Sequence, residues 1–224
     1  MIERTPEPEL MDLPEEAEAY ANSDSSHILQ SFVDRLFQFV GQRENLNVVD
    51  LGTGPGSIPI LIAKTKPTWQ ITAVDNADAM LAIARSDVDA ANLADRLKLH
   101  QADVKSTGLP AHSFDLIICS SVLHHMPEPL PLWREMKRLA KPSGKIFVRD
   151  LRRPASIHDV QQIVYTYAGD EPEVLQGAYH RSLLAAFTVD EVREQLKTTG
   201  LAYLAVHEVS DRYLDVFGNV SVAS

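Results

Sequence analysis

The sequence has a single cysteine, Cys119, among its 224 residues. No internal disulfide can form, which agrees with a reducing compartment. Nor does any apolar run approach the roughly 20 residues that cross a bilayer. The opening stretch, MIERTPEPELMDLPEE, is acidic and lacks the apolar centre of a secretory signal. A cytoplasmic protein without membrane attachment is expected. Basic residues are in deficit, with 21 Lys and Arg against 31 Asp and Glu, a formal charge of -10. So acidic a chain is ill suited to gripping phosphate backbones through counterion release. Its basic clusters are short, Arg149 with Arg152 and Arg153 being one. Nucleic acid is therefore not the expected partner. Internal repeats, low-complexity tracts and metal-ligand spacings are missing too. His124 and His125 are adjacent rather than spaced for one helix face, and no Cys or acid cluster accompanies them in sequence. No metal is expected.

What is present is an ordinary globular composition, 45% hydrophobic and 23% charged, at a length that suits one decorated domain. Residues 1–16 are rich in proline and acid and read as an arm. Residues 17–40 read as helical, with Ile28, Leu29, Phe32, Leu36, Phe37 and Val40 at helical spacing. From Asn47 onward, short β-branched runs alternate with helical stretches, the pattern of a parallel α/β sheet. Strands are expected at Val48–Leu51, Gln70–Val74, Leu97–His100, Phe114–Cys119 and Lys145–Val148. Helices are expected near Ile58–Lys64, Ala77–Ala90 and Leu130–Ala140, and Lys141-Pro142-Ser143-Gly144 reads as a turn. Residues 152–187 hold two further helices. A helix at Val189–Thr198 stops at Gly200. Leu201–Val209 and Arg212–Phe217, separated only by Ser210 and Asp211, read as a closing antiparallel hairpin. A parallel sheet closed by one reversed strand is not the plain dinucleotide-binding layout.

The sharpest local feature is Val48-Val49-Asp50-Leu51-Gly52-Thr53-Gly54-Pro55-Gly56-Ser57. It follows a strand and opens a helix whose first N–H groups lack intrahelical partners. Its spacing is G-x-G-x-G, with Ser57 where the dinucleotide fingerprint has its third glycine. Asp50, just before the loop, would oppose a pyrophosphate and suits a ligand with a cationic amine. S-adenosylmethionine (SAM) carries such an ammonium group and a sulfonium. Asp75 ends the second strand, where a carboxylate accepts from ribose hydroxyls. Asp103 follows the third, where a side chain can accept from the adenine amine. Strand-end acids also cap helices and turns. Three of them at successive strand ends, together with the loop, gather on the edge where such sheets bind ligands.

These features resemble the class I SAM-dependent methyltransferases. The matching residues are the loop from Asp50 to Gly56, Asp75, Asp103, the run Phe114–His125 and the Leu139–Lys145 turn, covering about residues 30–150. The resemblance points to the branch that acts on small molecules. The opening Pro6-Glu7-Pro8-Glu9-Leu10-Met11-Asp12 looks like a bacterial subgroup. The implied fold is a Rossmann-like α/β/α sandwich. Its seven-stranded, mostly parallel sheet has order 3-2-1-4-5-7-6 with the last strand antiparallel. N-terminal helices and a helical insertion after strand five are added to it. Residues 1–40 would be an arm and helical lid, and 41–224 the SAM-binding domain, with 152–187 serving the acceptor. Gly52, Thr53, Gly54 and Gly56 would hold the methionine part of SAM beside Asp50. Asp75 would bind the ribose, Asp103 and Val104 would frame the adenine, Asn76 and Met80 would lie beside the nucleoside, and Ser120 near the sulfonium. The products would be S-adenosylhomocysteine and a methylated small molecule.

His124 is the candidate general base, with a purely structural histidine as the competing reading. Candidate acceptor-binding residues are Tyr20, His125, Arg152, Arg153 and Tyr165, the arginines competing with plain surface ion pairs. The Asn-Pro-Pro-Tyr type of sequence is absent after the fourth strand, which argues against amino-group methylation of nucleobases or glutamine. Protein or tRNA methyl transfer and a non-catalytic SAM-binding protein remain as alternatives. A nicotinamide oxidoreductase is disfavoured by Asp50, Ser57 and the closing hairpin. Monomer and homodimer are both open.

Overall fold

The computed structural model describes residues 2–7 and 26–220. Tyr20 and the expected helical stretch before Ser26 lie outside the described residues. The elements run α1 (Ser26–Val40), β1 (Asn47–Leu51), α2 (Ser57–Thr65), β2 (Gln70–Asp75), α3 (Asp78–Ala90), β3 (Leu97–Gln101) and β4 (Phe114–Ser120). A 3₁₀ turn (Leu123–His125) follows, then α4 (Leu130–Leu139), β5 (Ala140–Leu151), α5 (Ile157–Ala168), α6 (Glu173–Ala185), α7 (Val189–Thr198), β6 (Ala205–Glu208) and β7 (Tyr213–Asn219).

The central strands form because their apolar residues are buried on both faces, the signature of a covered parallel sheet. Val48, Leu116, Ile118 and Phe147 pack against α1 and α2, while Val49, Ile117, Ile146 and Val148 pack against α4 and α7. Alternate residues of one strand thus serve two cores. The sheet order is β3-β2-β1-β4-β5-β7-β6, as expected. β1 to β5 are parallel, and β7 runs antiparallel to both β5 and β6.

Three boundaries differ from expectation. Lys141–Gly144 is not a separate turn but an outward bulge within β5. Phe114 pairs Ala140 and Leu116 pairs Lys145, and Ser143 adopts φ 65°. The bulge stays in the sheet because Val220 N–H donates to Gly144 O and Ser143 N–H to Val220 O. β5 also continues through Leu151, so Asp150 lies inside the strand rather than after it. Leu201–Leu204 is not strand. Gly200 at φ 70° closes α7, with Leu201 N–H donating to Leu196 O and Gly200 N–H to Lys197 O, a Schellman ending. That turn consumes the residues before β6.

Among the described residues, no helix is long and apolar enough to cross a membrane. A cleft of about 500 Å³ lined by Val40, Arg43, Lys145 and Asn219 sits at the amino-terminal ends of the strands, away from the glycine loop.

Candidate active site

The carboxyl edge of the sheet carries two constructions, one after β1 and one after β4. In the first, Gly52 and Thr53 N–H groups both donate to Val74 O, folding the loop back over β2. Gly52 has φ 75°, and a Cβ there would collide with the Val122 side chain. Only glycine combines that dihedral with that contact. Gly54 also has positive φ but faces open space, its nearest neighbour being the Met80 sulfur at 4.0 Å from a built Cβ. The loop is further tied by Asp75, whose two carboxylate oxygens accept from Gly54 N–H at 2.7 Å and Ala77 N–H at 2.9 Å. Gly56 begins α2 and Ala77 begins α3 without capping side chains of their own.

Asp50 lies beneath the loop, 1% exposed, and accepts from Thr53 Oγ1 at 2.7 Å. Burial pushes its carboxyl up to about 7, the Thr53 bond opposing this and the Asp75 charge adding to it. Of the other expected cofactor residues, Asn76 is exposed, while Met80 and Val104 are buried. Asp103 accepts from Lys105 N–H at 2.8 Å and keeps a side chain 45% exposed. Ser120 ends β4, and the next residue, Ser121, takes φ 57°.

The second construction centres on Asp150. Its Oδ2 accepts from Val122 and Leu123 N–H at 2.9 and 2.7 Å, and its Oδ1 accepts from Leu151 N–H. Oδ1 also lies 2.6 Å from His124 Nδ1. An ionised carboxylate only accepts, so Nδ1 donates, and the His124 Nε2 edge points away from Asp150. His124 is 3% exposed. Burial alone would depress its imidazole, but the Asp150 charge, the hydrogen bond to it and Glu7 raise it above its ordinary value.

Glu7 was no candidate on sequence grounds, yet it reaches this point from the other end of the chain. Its Oε1 is 3.5 Å from His124 Nε2 and 3.3 Å from His125 Nδ1, and burial raises its carboxyl. Arg4 holds the segment down. Its Nε donates to Ala185 O, its Nη2 to His124 O and Met126 O, and its guanidinium lies 3.9 Å over the Phe187 ring. Thr5 N–H donates to Leu184 O, and Ser182 Oγ donates to Glu7 Oε2. Arg4 and His124 are 120 residues apart, so no spacing rule reveals the pairing. The proline-and-acid motif around Glu7 was the only trace of it.

The remaining candidates are dispersed. Arg153 is buried, donating to Ala186 O and pairing with Glu191 at 2.6 Å. Arg152 donates to Ser210 O and lies 3.7 Å from Glu208. Arg149 is buried in a two-point pair with Asp215. These three arginines therefore form no open basic patch. Tyr165 is 77% exposed on α5, outside the buried group around His124. The lone Cys119 thiol is buried in β4 and pushed far up by desolvation, with Asp150 and Asp50 adding to it, so it is no nucleophile.

Residues 49–148 match a family model described as a methyltransferase domain. Over 98 residues the chain is 36% identical to release factor glutamine methyltransferase of Rhodopirellula baltica, covering 44% of this chain and 33% of that protein. Over 139 residues it is 30% identical to ubiquinone biosynthesis O-methyltransferase of Histophilus somni, covering 59% of this chain and 57% of that protein. The chain thus spans between a third and just over half of these curated relatives. Among solved structures, a SAM-dependent methyltransferase from Aquifex aeolicus superposes with TM-score 0.70 at 21% identity, covering 92% of this chain and 98% of that one.

Proposed function

From the premise that residues 49–148 are a class I SAM-dependent methyltransferase domain, we propose that the protein transfers the SAM methyl group to a small-molecule acceptor. The observation that carries this is the loop from Gly52 to Gly56. It turns over β2 and is tied by Asp75, with Asp103 at the next strand end. The methionine part of SAM lies along Gly52, Thr53, Gly54 and Gly56. Its ammonium group suits a loop with Asp50 beneath it and opposes no phosphate-type demand. The ribose hydroxyls meet Asp75, a carboxylate oxygen having lone pairs beyond those its backbone partners use. Asn76, Met80, Asp103 and Val104 flank the nucleoside.

Methyl transfer is a direct displacement in which nucleophile, carbon and sulfur are held in line and water is excluded. Positioning of this kind supplies on the order of 7 kcal/mol or more. The acceptor approaches the carboxyl edge of the sheet beside the turn after β4, with His124, His125 and Glu7 the groups nearest to serve its reacting heteroatom. The acidic charge and the absent Asn-Pro-Pro-Tyr sequence speak against nucleic acid and glutamine side chains.

Calorimetric titration with SAM, S-adenosylhomocysteine and NAD tests the cofactor. Binding of the first two, weakened at least tenfold in Asp75→Ala and absent for NAD, is expected. A folded protein free of carried-over ligand that binds neither sulfur compound would overturn the reading. Binding without turnover across a panel of hydroxyl and thiol acceptors would favour the non-catalytic alternative.

A further inference from the structure

Glu7 Oε1, His124 Nε2 and His125 Nδ1 all lie within 4.8 Å of one another. The two distances from Glu7 are 3.3 and 3.5 Å. A cation about 2.1 Å from each atom in tetrahedral array would put its ligand edges at about 3.4 Å. Two of the three edges therefore already have metal-site spacing, and the third, between the two imidazole nitrogens, is within 4.8 Å.

The chemistry of the cluster asks for a cation. Asp150 takes the Nδ1 proton of His124, so in the neutral ring Nε2 presents a lone pair to the Glu7 carboxylate. His124 Nε2 and Glu7 Oε1 meet at 3.5 Å in a buried setting, with His125 Nδ1 beside them. Glu7 is only 9% exposed at its side chain, and its Oε1 receives no hydrogen bond among the described residues. An orphan carboxylate oxygen in such a place is costly. The Asp150–His124 arrangement also matches the outer partner that metal-bound imidazoles generally have, a carboxylate on the far ring nitrogen that fixes tautomer and orientation. Arg4, bonded to three carbonyl oxygens, holds the Glu7 segment in register with the histidines.

We propose that Glu7, His124 and His125 bind one divalent transition-metal cation, Zn(II) being the type ion, through two nitrogens and one carboxylate oxygen. Three protein ligands leave a coordination position for water or an acceptor heteroatom, the pattern of catalytic rather than structural sites. One extension rests on the methyl-transfer reading. A hydroxyl acceptor entering that position would give its proton to a hydroxide held there, which leaves as water. Its oxygen would then attack the SAM methyl carbon as the carbon–sulfur bond breaks and its electron pair stays on sulfur. The products are the methyl ether and S-adenosylhomocysteine.

The test uses the full chain stripped with a chelator and titrated with Zn(II) by calorimetry, and with Co(II) by visible absorption. One equivalent is expected to bind, with Co(II) giving d–d bands of low coordination number. Glu7→Gln and His125→Ala are each expected to weaken Zn(II) binding at least tenfold. Asp150→Asn is expected to weaken it by about 10–100-fold without removing a ligand. Thermal melts and circular dichroism establish that each variant is folded, and Glu7→Gln changes neither size nor the Ser182 contact point. Failure to bind Zn(II), or binding unchanged in both ligand variants, would overturn the proposal. S-adenosylhomocysteine titrated on the same samples keeps that failure distinct from failure of the methyltransferase reading.

Discussion

The loop after β1 and the turn after β4 are built by the same device. In each, an aspartate on the neighbouring strand accepts backbone N–H from the loop beside it: Asp75 from β2 accepts Gly54 of the glycine loop, and Asp150 from β5 accepts Val122 and Leu123 of the histidine turn. They differ in exposure. Asp150 is 1% exposed, and its two oxygens receive four donors. Asp75 is half-buried and receives two. One carboxylate is committed to holding structure, while the other holds structure and still offers lone pairs. Residue type and position on the sheet edge are alike, so burial and acceptor occupancy separate a positioning residue from a ligand-binding one.

The largest effect expected from breaking this comparison is at Asp150. Asp150→Ala leaves three backbone donors and His124 without their partner in a buried place. Chemical denaturation should show a loss of about 3–5 kcal/mol. Next comes Asp50, buried like Asp150 but with a single side-chain partner. Its carboxyl is raised from the ordinary 3.8 to about 7, so the native state keeps a proton that the unfolded chain has lost. The stability it contributes is fully present below about pH 4 and is lost as pH rises through 7. Asp50→Asn abolishes that loss. The variant-minus-wild-type stability should therefore rise by on the order of 3–4 kcal/mol between pH 4 and pH 8 in urea titrations.

Two glycines of the loop sharpen the contrast between scaffold and binding surface. Gly52→Ala meets the Val122 side chain as well as an adverse dihedral and should cost about 2–4 kcal/mol of stability. Gly54→Ala meets open space and should cost about 1 kcal/mol, its larger effect appearing in SAM affinity. The smallest change in stability is expected at Asp75. Asp75→Asn keeps an acceptor for one backbone N–H, so melting should shift little. S-adenosylhomocysteine affinity should fall about tenfold, or roughly 1.4 kcal/mol, by calorimetry.

The architecture was legible because the central strands are apolar runs flanked by turn residues, and because the Gly52–Gly56 loop has a distinctive spacing. The misplacements have local physical causes. The segment before β6 is apolar enough to read as strand, but the Schellman closure at Gly200 takes those residues first. The Lys141–Gly144 segment has turn composition, yet hydrogen bonds to Val220 hold it in the sheet. The His124 neighbourhood was only half legible. The histidines stand out in sequence, but Asp150 was placed after its strand and Glu7 was invisible as a partner. Periodicity reports on a residue's own element, whereas this cluster is assembled across three distant stretches.

The docking of residues 2–7 has a consequence for the order in which the molecule is made. This segment is synthesised well before its partners at His124, Ser182, Leu184 and Ala185. The sheet core from β1 to β5 can consolidate without it, since closing so long a loop costs entropy that grows only slowly with length but is repaid only once α6 exists. Residues 2–7 are thus the last part of this site to fold, and the buried cluster around His124 is completed only then.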